Sequence, residues 1–279
     1  MAPVFINTVV NYIVLGAYLS DSMTIATSTL INGISACTIF TLSVIICVRF
    51  LVRYAHTKKN LLPFVGIMFL CFSGLYLGPV VTFFSIIIAN QNISVTLYAQ
   101  LSYSFSTFAI SDVMWLGFTL FNPNRKKIVL CVYLLTGIPY FIALYGFPNQ
   151  MIMLSASSVS ALNLAHKMIN ISLTSVLFAL SAFYVLSFVF ILTGGFYYLQ
   201  RKITGFEQKK ATYLALGYFI LGIGFILEIA LGDLGDLAKV SARVLVLIAI
   251  SLLYIGFSTR ESRESQRQDV KADKNIEAK

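Results

Sequence analysis

The sequence predicts an all-α polytopic membrane protein: a seven-transmembrane helix bundle with its N-terminus outside and its C-terminus in the cytoplasm. Three observations predict it. The chain of 279 residues is 58% hydrophobic and only 11% charged, with a mean hydropathy of +0.85, whereas soluble domains carry about 25% charged residues. Seven apolar stretches are each long enough to cross a bilayer core, which needs about 20 helical residues. Of the 20 Lys and Arg residues, 17 fall on one side of those stretches and three, Lys167, Lys239 and Arg243, on the other, which orients the chain by the preference of basic loops for the cytoplasm.

The first span runs from about Leu30 to Val52 and ends among Arg49, Arg53, Lys58 and Lys59. The second, about Leu61 to Ala89, returns outward. Asn90 to Thr96 carries no charge, and a third span, about Leu97 to Phe121, descends to Asn122-Pro-Asn-Arg-Lys-Lys127, where Asn-Pro-Asn signals a turn. The fourth rises to about Phe147. A Ser-, Ala- and Asn-rich segment from Pro148 to about Ile171 follows, and its length predicts a short surface helix or lid. Span five, about Leu173 to Leu199, descends to Arg201, Lys202, Lys209 and Lys210; span six, about Ala211 to Leu231, rises to the acidic turn Gly232-Asp-Leu-Gly-Asp236; span seven, about Val240 to Phe257, descends to the tail.

The chain thus divides into an outer N-terminal segment (1–29), a seven-helix domain (30–259) and a charged cytoplasmic tail (260–279). Pro3 to Leu19 places Asn7, Asn11 and Tyr18 on one helical face, and it is read as an interfacial helix in preference to an eighth span. A secretory signal needs a basic start, and the first Arg is Arg49, so the N-terminus is expected to be retained. The tail mixes six basic with five acidic residues without apolar periodicity and reads as a solvated extension able to bind a cytoplasmic protein partner. Asn92-Ile-Ser94 and Asn170-Ile-Ser172 match the glycosylation pattern on the predicted outer side. No internal repeat is evident, which weighs against a transporter built from duplicated halves.

Acidic residues inside apolar spans are costly and mark functional sites by default. Asp112 in span three is one. At helical spacing it shares a face with Leu101, Phe105, Phe108 and Trp115, an aromatic stripe able to hold a cation. Its plainer reading is a hydrogen bond to Ser, Thr or Tyr on a neighbouring helix that fixes packing. The second constellation is Glu228 near the outer end of span six with Asp233, Asp236, Lys239 and Arg243 across the turn into span seven. Asp236, Lys239 and Arg243 follow i, i+3, i+7, and Glu228 belongs to the stripe Gly217, Leu221, Gly224, Glu228, Gly232, which keeps span six slim. A Glu228–Arg243 ion pair is the expected outcome. It serves either as a clasp between two helices or as part of an outer-side site for a small-molecule ligand.

Other chemistries are unsupported. The net charge of +9 does not indicate nucleic acid, because the basic residues cluster at span ends. The two histidines, His56 and His166, have no ligand-spaced neighbours, so no metal site is predicted. Ser73-Gly74 lacks an intramembrane His to act as base. Span seven has no central Lys for a retinal Schiff base, only Lys239 at its outer start. The four cysteines lie in or beside spans and read as small hydrophobes. The chain is therefore expected to be no enzyme and to carry no cofactor.

The topology resembles that of G-protein-coupled receptors and of the seven-helix sensor modules of microbial histidine kinases, although span three ends in Thr119-Leu-Phe121, span seven lacks Asn-Pro-x-x-Tyr, and the outer cysteine pair is missing. Arg243 before an aliphatic run into Tyr254-Ile-Gly-Phe257, Arg53-Tyr54 before Lys58-Lys59, and Gly78-Pro79 in span two resemble uncharacterised archaeal-type seven-helix membrane proteins. That resemblance implies a stand-alone sensor-like protein of the cell membrane and carries no site. The expected function is a sensor with an outer pocket between spans three, five, six and seven, signalling to a separate cytoplasmic partner. A small-molecule or proton-coupled transporter using Asp112 and the Gly78-Pro79 break is the alternative, and a structural or assembly protein without ligand the third.

Overall fold

The computed structural model describes residues 27–89, 93–147, 152–153, 170–171, 176–230 and 236–258. The segment Pro3 to Leu19, the tail, Asp233 and most of the long loop after span four lie outside the described residues. The described chain is helical apart from one two-residue antiparallel pair, β1 (Ile152–Met153) with β2 (Asn170–Ile171). Of the long loop only this strand pair is described, and the expected surface helix or lid falls outside the described residues.

The helices are α1 (Thr27–Thr57), α2 (Leu61–Gly74), α3 (Leu77–Ala89), α4 (Val95–Phe121), α5 (Lys126–Phe141), α6 (Val176–Ser187), α7 (Gly194–Lys202), α8 (Phe206–Ala230) and α9 (Asp236–Ser258). A π-helical turn, Ile142–Gly146, extends α5, and another, Phe188–Thr193, joins α6 to α7. Six stretches are long and apolar enough to cross a membrane, and α2 with α3, bent by 52° at their junction, adds a seventh if the two form one span. This is a helical, multi-pass membrane protein.

Its surface explains why water is excluded as solvent. Ile88 is 80% exposed, Phe190 71% and Ile128 66%, all on helix flanks; large apolar side chains facing outward on this scale require lipid tails. With apolar residues both inside and out, burial alone does not choose the inner face. Small residues choose it instead. A Cβ on Gly217 or Gly224 would come within 2.9 Å of Leu253 or Val246, so the predicted slim stripe on α8 lets α9 approach closely.

The α2–α3 break is local in origin. Leu75 and Tyr76 N–H turn back to the carbonyls of Phe72 and Ser73 at 3.3 and 2.9 Å, and regular i to i+4 bonding resumes with Val80 on Tyr76 at 3.1 Å. Between them lies Pro79, which has no N–H to donate. The freed turn swings Tyr76 into the bundle, where it is buried.

Basic residues gather at one end of the bundle. There Arg53 donates to the Ser258 carbonyl at 2.7 Å, satisfying a terminal carbonyl of α9 and opposing the negative end of its dipole. Arg49 donates to the Tyr254 hydroxyl at 3.4 Å. Lys126 lies 5.5 Å from the Trp115 ring, Arg201 4.6 Å from Tyr197 and Lys202 4.4 Å from Tyr198. Aromatic rings beside cations are what a headgroup boundary favours.

Candidate functional site

Away from the basic end, α8 and α9 place Glu228 and Arg243 against each other. Arg243 is 2% exposed and is the one charged side chain among the buried described residues. Its Nε donates to Glu228 Oε1 at 3.3 Å. Nη1 donates to the Asn32 carbonyl and to Ser35 Oγ, both at 2.5 Å and both on α1. Tyr76, from the α2–α3 break, donates its hydroxyl to Glu228 Oε2 at 2.9 Å, and its ring lies 5.7 Å from the Arg243 guanidinium. Four segments are thus tied together, α8, α9 and the α2–α3 break by one ion pair, a charge-assisted phenol bond and a cation–π contact, and α1 by the two Arg243 hydrogen bonds. Arg243 Nη2 and Asn32 Oδ1 have no hydrogen-bond partner among the described residues.

Beside this clasp is a cavity of about 180 Å³. Leu75, Tyr76 and Pro79 of the break line it, with Tyr98, Ser102, Tyr103 and Ser106 from α4, Ser181 and Tyr184 from α6, Phe188 from the π turn and Phe225 and Glu228 from α8. Its walls come from spans two, three, five and six. Span two contributes a wall that the sequence reading did not expect, and among the described residues none of α9 lines the cavity. The reason is the Arg243 side chain, which turns from the cavity toward α1.

Several wall hydroxyls are already committed. Tyr184 donates to Thr136 Oγ1 at 3.2 Å and Tyr140 to Ser106 Oγ at 3.2 Å. Ser102 differs: it is 5% exposed and its Oγ has no hydrogen-bond partner among the described residues. Glu228 shares one oxygen with Arg243 and the other with Tyr76, and each carboxylate oxygen keeps a further lone pair.

The other sequence-predicted residues sit elsewhere. Asp112 is half-buried, outside the cavity lining, with Oδ2 unpartnered among the described residues. Its stripe does not converge on one ligand: Phe105 covers Gly74, Trp115 packs on Phe64 at 4.4 Å between ring centres, and Phe108 faces Phe141 at 5.7 Å. Asp236 opens α9 and Lys239 follows one turn later, but their side chains lie outside the described residues. Among the described residues no three His, Cys, Asp or Glu side chains converge to hold a metal.

The sequence reading missed Tyr76 and the hydroxyl wall, yet a signal was present. Tyr98, Ser102 and Ser106 recur at i, i+4 and i+8 in span three, which puts three polar groups on one helix face. Nothing local marks Tyr76, because its role depends on a bend and on a carboxylate 152 residues away. Compared with protein-family models, with curated proteins and with solved structures, the chain has no match.

Proposed function

We propose that this chain is a seven-span sensor or receptor-like protein of the cell membrane, N-terminus out. Its ligand occupies the cavity in the outer half of the bundle, and its output passes through the inner loops and tail to a separate cytoplasmic partner. The observation that carries this reading is the shared position of Tyr76 and Glu228, which belong both to the cavity wall and to the clasp. A ligand touching either one changes the bonding available to Arg243, and through it to α1. At the inner end, α1 in turn holds Tyr254 and Ser258 of α9 through Arg49 and Arg53. A ligand shifts such an arrangement only as far as its affinity differs between the two states.

One labelled position tests both orientation and output. With the four native cysteines replaced, Lys127→Cys is expected to react with an impermeant maleimide in inside-out vesicles alone. An environment-sensitive fluorophore there is expected to respond when a small-metabolite panel is applied to the outer face. Reaction from the outer face of sealed right-side-out vesicles reverses the topology. Ligand-induced thermal stabilisation that persists undiminished in Glu228→Gln with Arg243→Met places the site elsewhere.

A second reading, a small-molecule or proton-coupled transporter, is favoured by two observations: the unpartnered Asp112 oxygen within span three and the 52° break in span two. Broken helices and intramembrane acids recur in transporters. The sensor reading expects no gradient-driven flux in proteoliposomes. Uptake that disappears in Asp112→Asn would establish the transporter in its place. A purely structural role predicts a bundle filled by side chains, and the cavity supports the two ligand-handling readings over it.

A further inference from the structure

We infer that the cavity takes a small neutral aromatic molecule bearing one hydrogen-bond donor, a phenol or an indole being the simplest members. The inference rests on the ligand-pocket reading above and narrows it to a chemical class.

Size comes first. A cavity of about 150 Å³ lined by aliphatic and aromatic side chains is enough to bind benzene in a water-soluble protein. The volume of about 180 Å³ here admits one ring with a substituent, or a compact fused pair, and is smaller than the pockets of about 300–1,000 Å³ that hold drug-sized ligands.

Shape follows from the walls. Phe72, Phe188 and Phe225 pack at 6.1–6.2 Å between ring centres, with tilted or edge-on planes. Rings held at an angle present both faces and edges to a guest, the arrangement in which another aromatic ring gains most beyond its buried area.

Charge is decided by the clasp. Glu228 reaches the cavity already paired to Arg243, so the site is close to neutral as a whole. An incoming ammonium would lack its own counter-charge in a low-dielectric setting, and a carboxylate would face Glu228 directly; both pay desolvation without full compensation. A neutral guest avoids each penalty. The polar partners then select a donor: a carboxylate such as that of Glu228 can accept hydrogen bonds but not donate them, and the Ser102 hydroxyl, buried and unpartnered among the described residues, can accept as well as donate. A phenolic O–H or ring N–H supplies a donor to one of them, and benzene leaves the Ser102 hydroxyl unpaired.

The test uses the full chain in lipid nanodiscs, with 4-fluorophenol as probe and fluorine NMR as readout. Saturable binding is expected, with displacement by indole and not by benzoate or benzylammonium. Ala109→Leu, which adds volume at a buried cavity wall, is expected to abolish binding, and Ser102→Ala to weaken it up to about tenfold, the value of one hydrogen bond. Displacement by benzoate or benzylammonium with no effect of indole overturns the chemical class and leaves the pocket as a ligand site. Failure of every probe to bind saturably overturns the inference itself. Binding as expected without any response of the fluorophore at position 127 upholds the ligand class and refutes the sensor reading.

Discussion

Arg243→Met is expected to destabilise the protein by about 3–5 kcal/mol, the cost of removing one partner from a buried ion pair. The loss exceeds that of the pair alone. Without the guanidinium, Glu228 keeps its charge beside only a phenol, and Ser35 loses its contact with α9. The companion variant makes the cause testable. Adding Glu228→Gln removes the stranded charge while keeping an acceptor for the Tyr76 hydroxyl, so the double variant is expected to recover at least half of the loss. Unfolding midpoints of both single variants and the double variant in one detergent supply the cycle. If the two single losses simply add, the charges are not coupled and the clasp is a bystander.

The second large effect is expected at Gly78. A Cβ there would lie 2.1 Å from Ser102 Oγ and 2.7 Å from the Tyr98 carbonyl. The hydroxyl can rotate, but the carbonyl belongs to the α4 backbone and has little freedom to yield. Gly78→Ala is therefore expected to cost about 1–3 kcal/mol by overpacking, more than the roughly 1 kcal/mol that Ala gains over Gly in a helix. Gly194 is the control. Its backbone is helical, with φ −63° and ψ −42°, and nothing lies within 4 Å of its Cβ position, so Gly194→Ala is expected to stabilise by up to about 1 kcal/mol. Thermal midpoints moving in opposite directions confirm that approach of α3 to α4 sets the demand at Gly78. A midpoint that rises in both variants means that α3 and α4 are looser than this packing requires.

The membrane class and the slim face of α8 were legible because each depends on a local signal. Apolar length, basic clusters at span ends and glycines about every second turn on one face all sit within a few turns of helix. The Glu228–Arg243 partnership was also within reach, since the residues flank a single turn. Asp112 was visible as an acid in an apolar span, but its surroundings were not. The helical periodicity that grouped it with Phe105, Phe108 and Trp115 describes one helix alone, and three different neighbours separate those rings in the bundle.

By itself, then, the sequence determined a helical chain for the bilayer, because hydrocarbon demands long apolar helices wherever the backbone crosses it. It also determined which residues would be too polar to lie in that solvent unexplained. Only the tertiary structure decided that a bend after Gly74 carries Tyr76 to Glu228, that Arg243 turns to α1, and that the space left beside them is walled by span two. In a chain apolar on every face, hydrophobicity does not rank one helix pairing above another. The choice falls to close contacts at glycines and to a few buried polar groups whose partners lie far away in sequence.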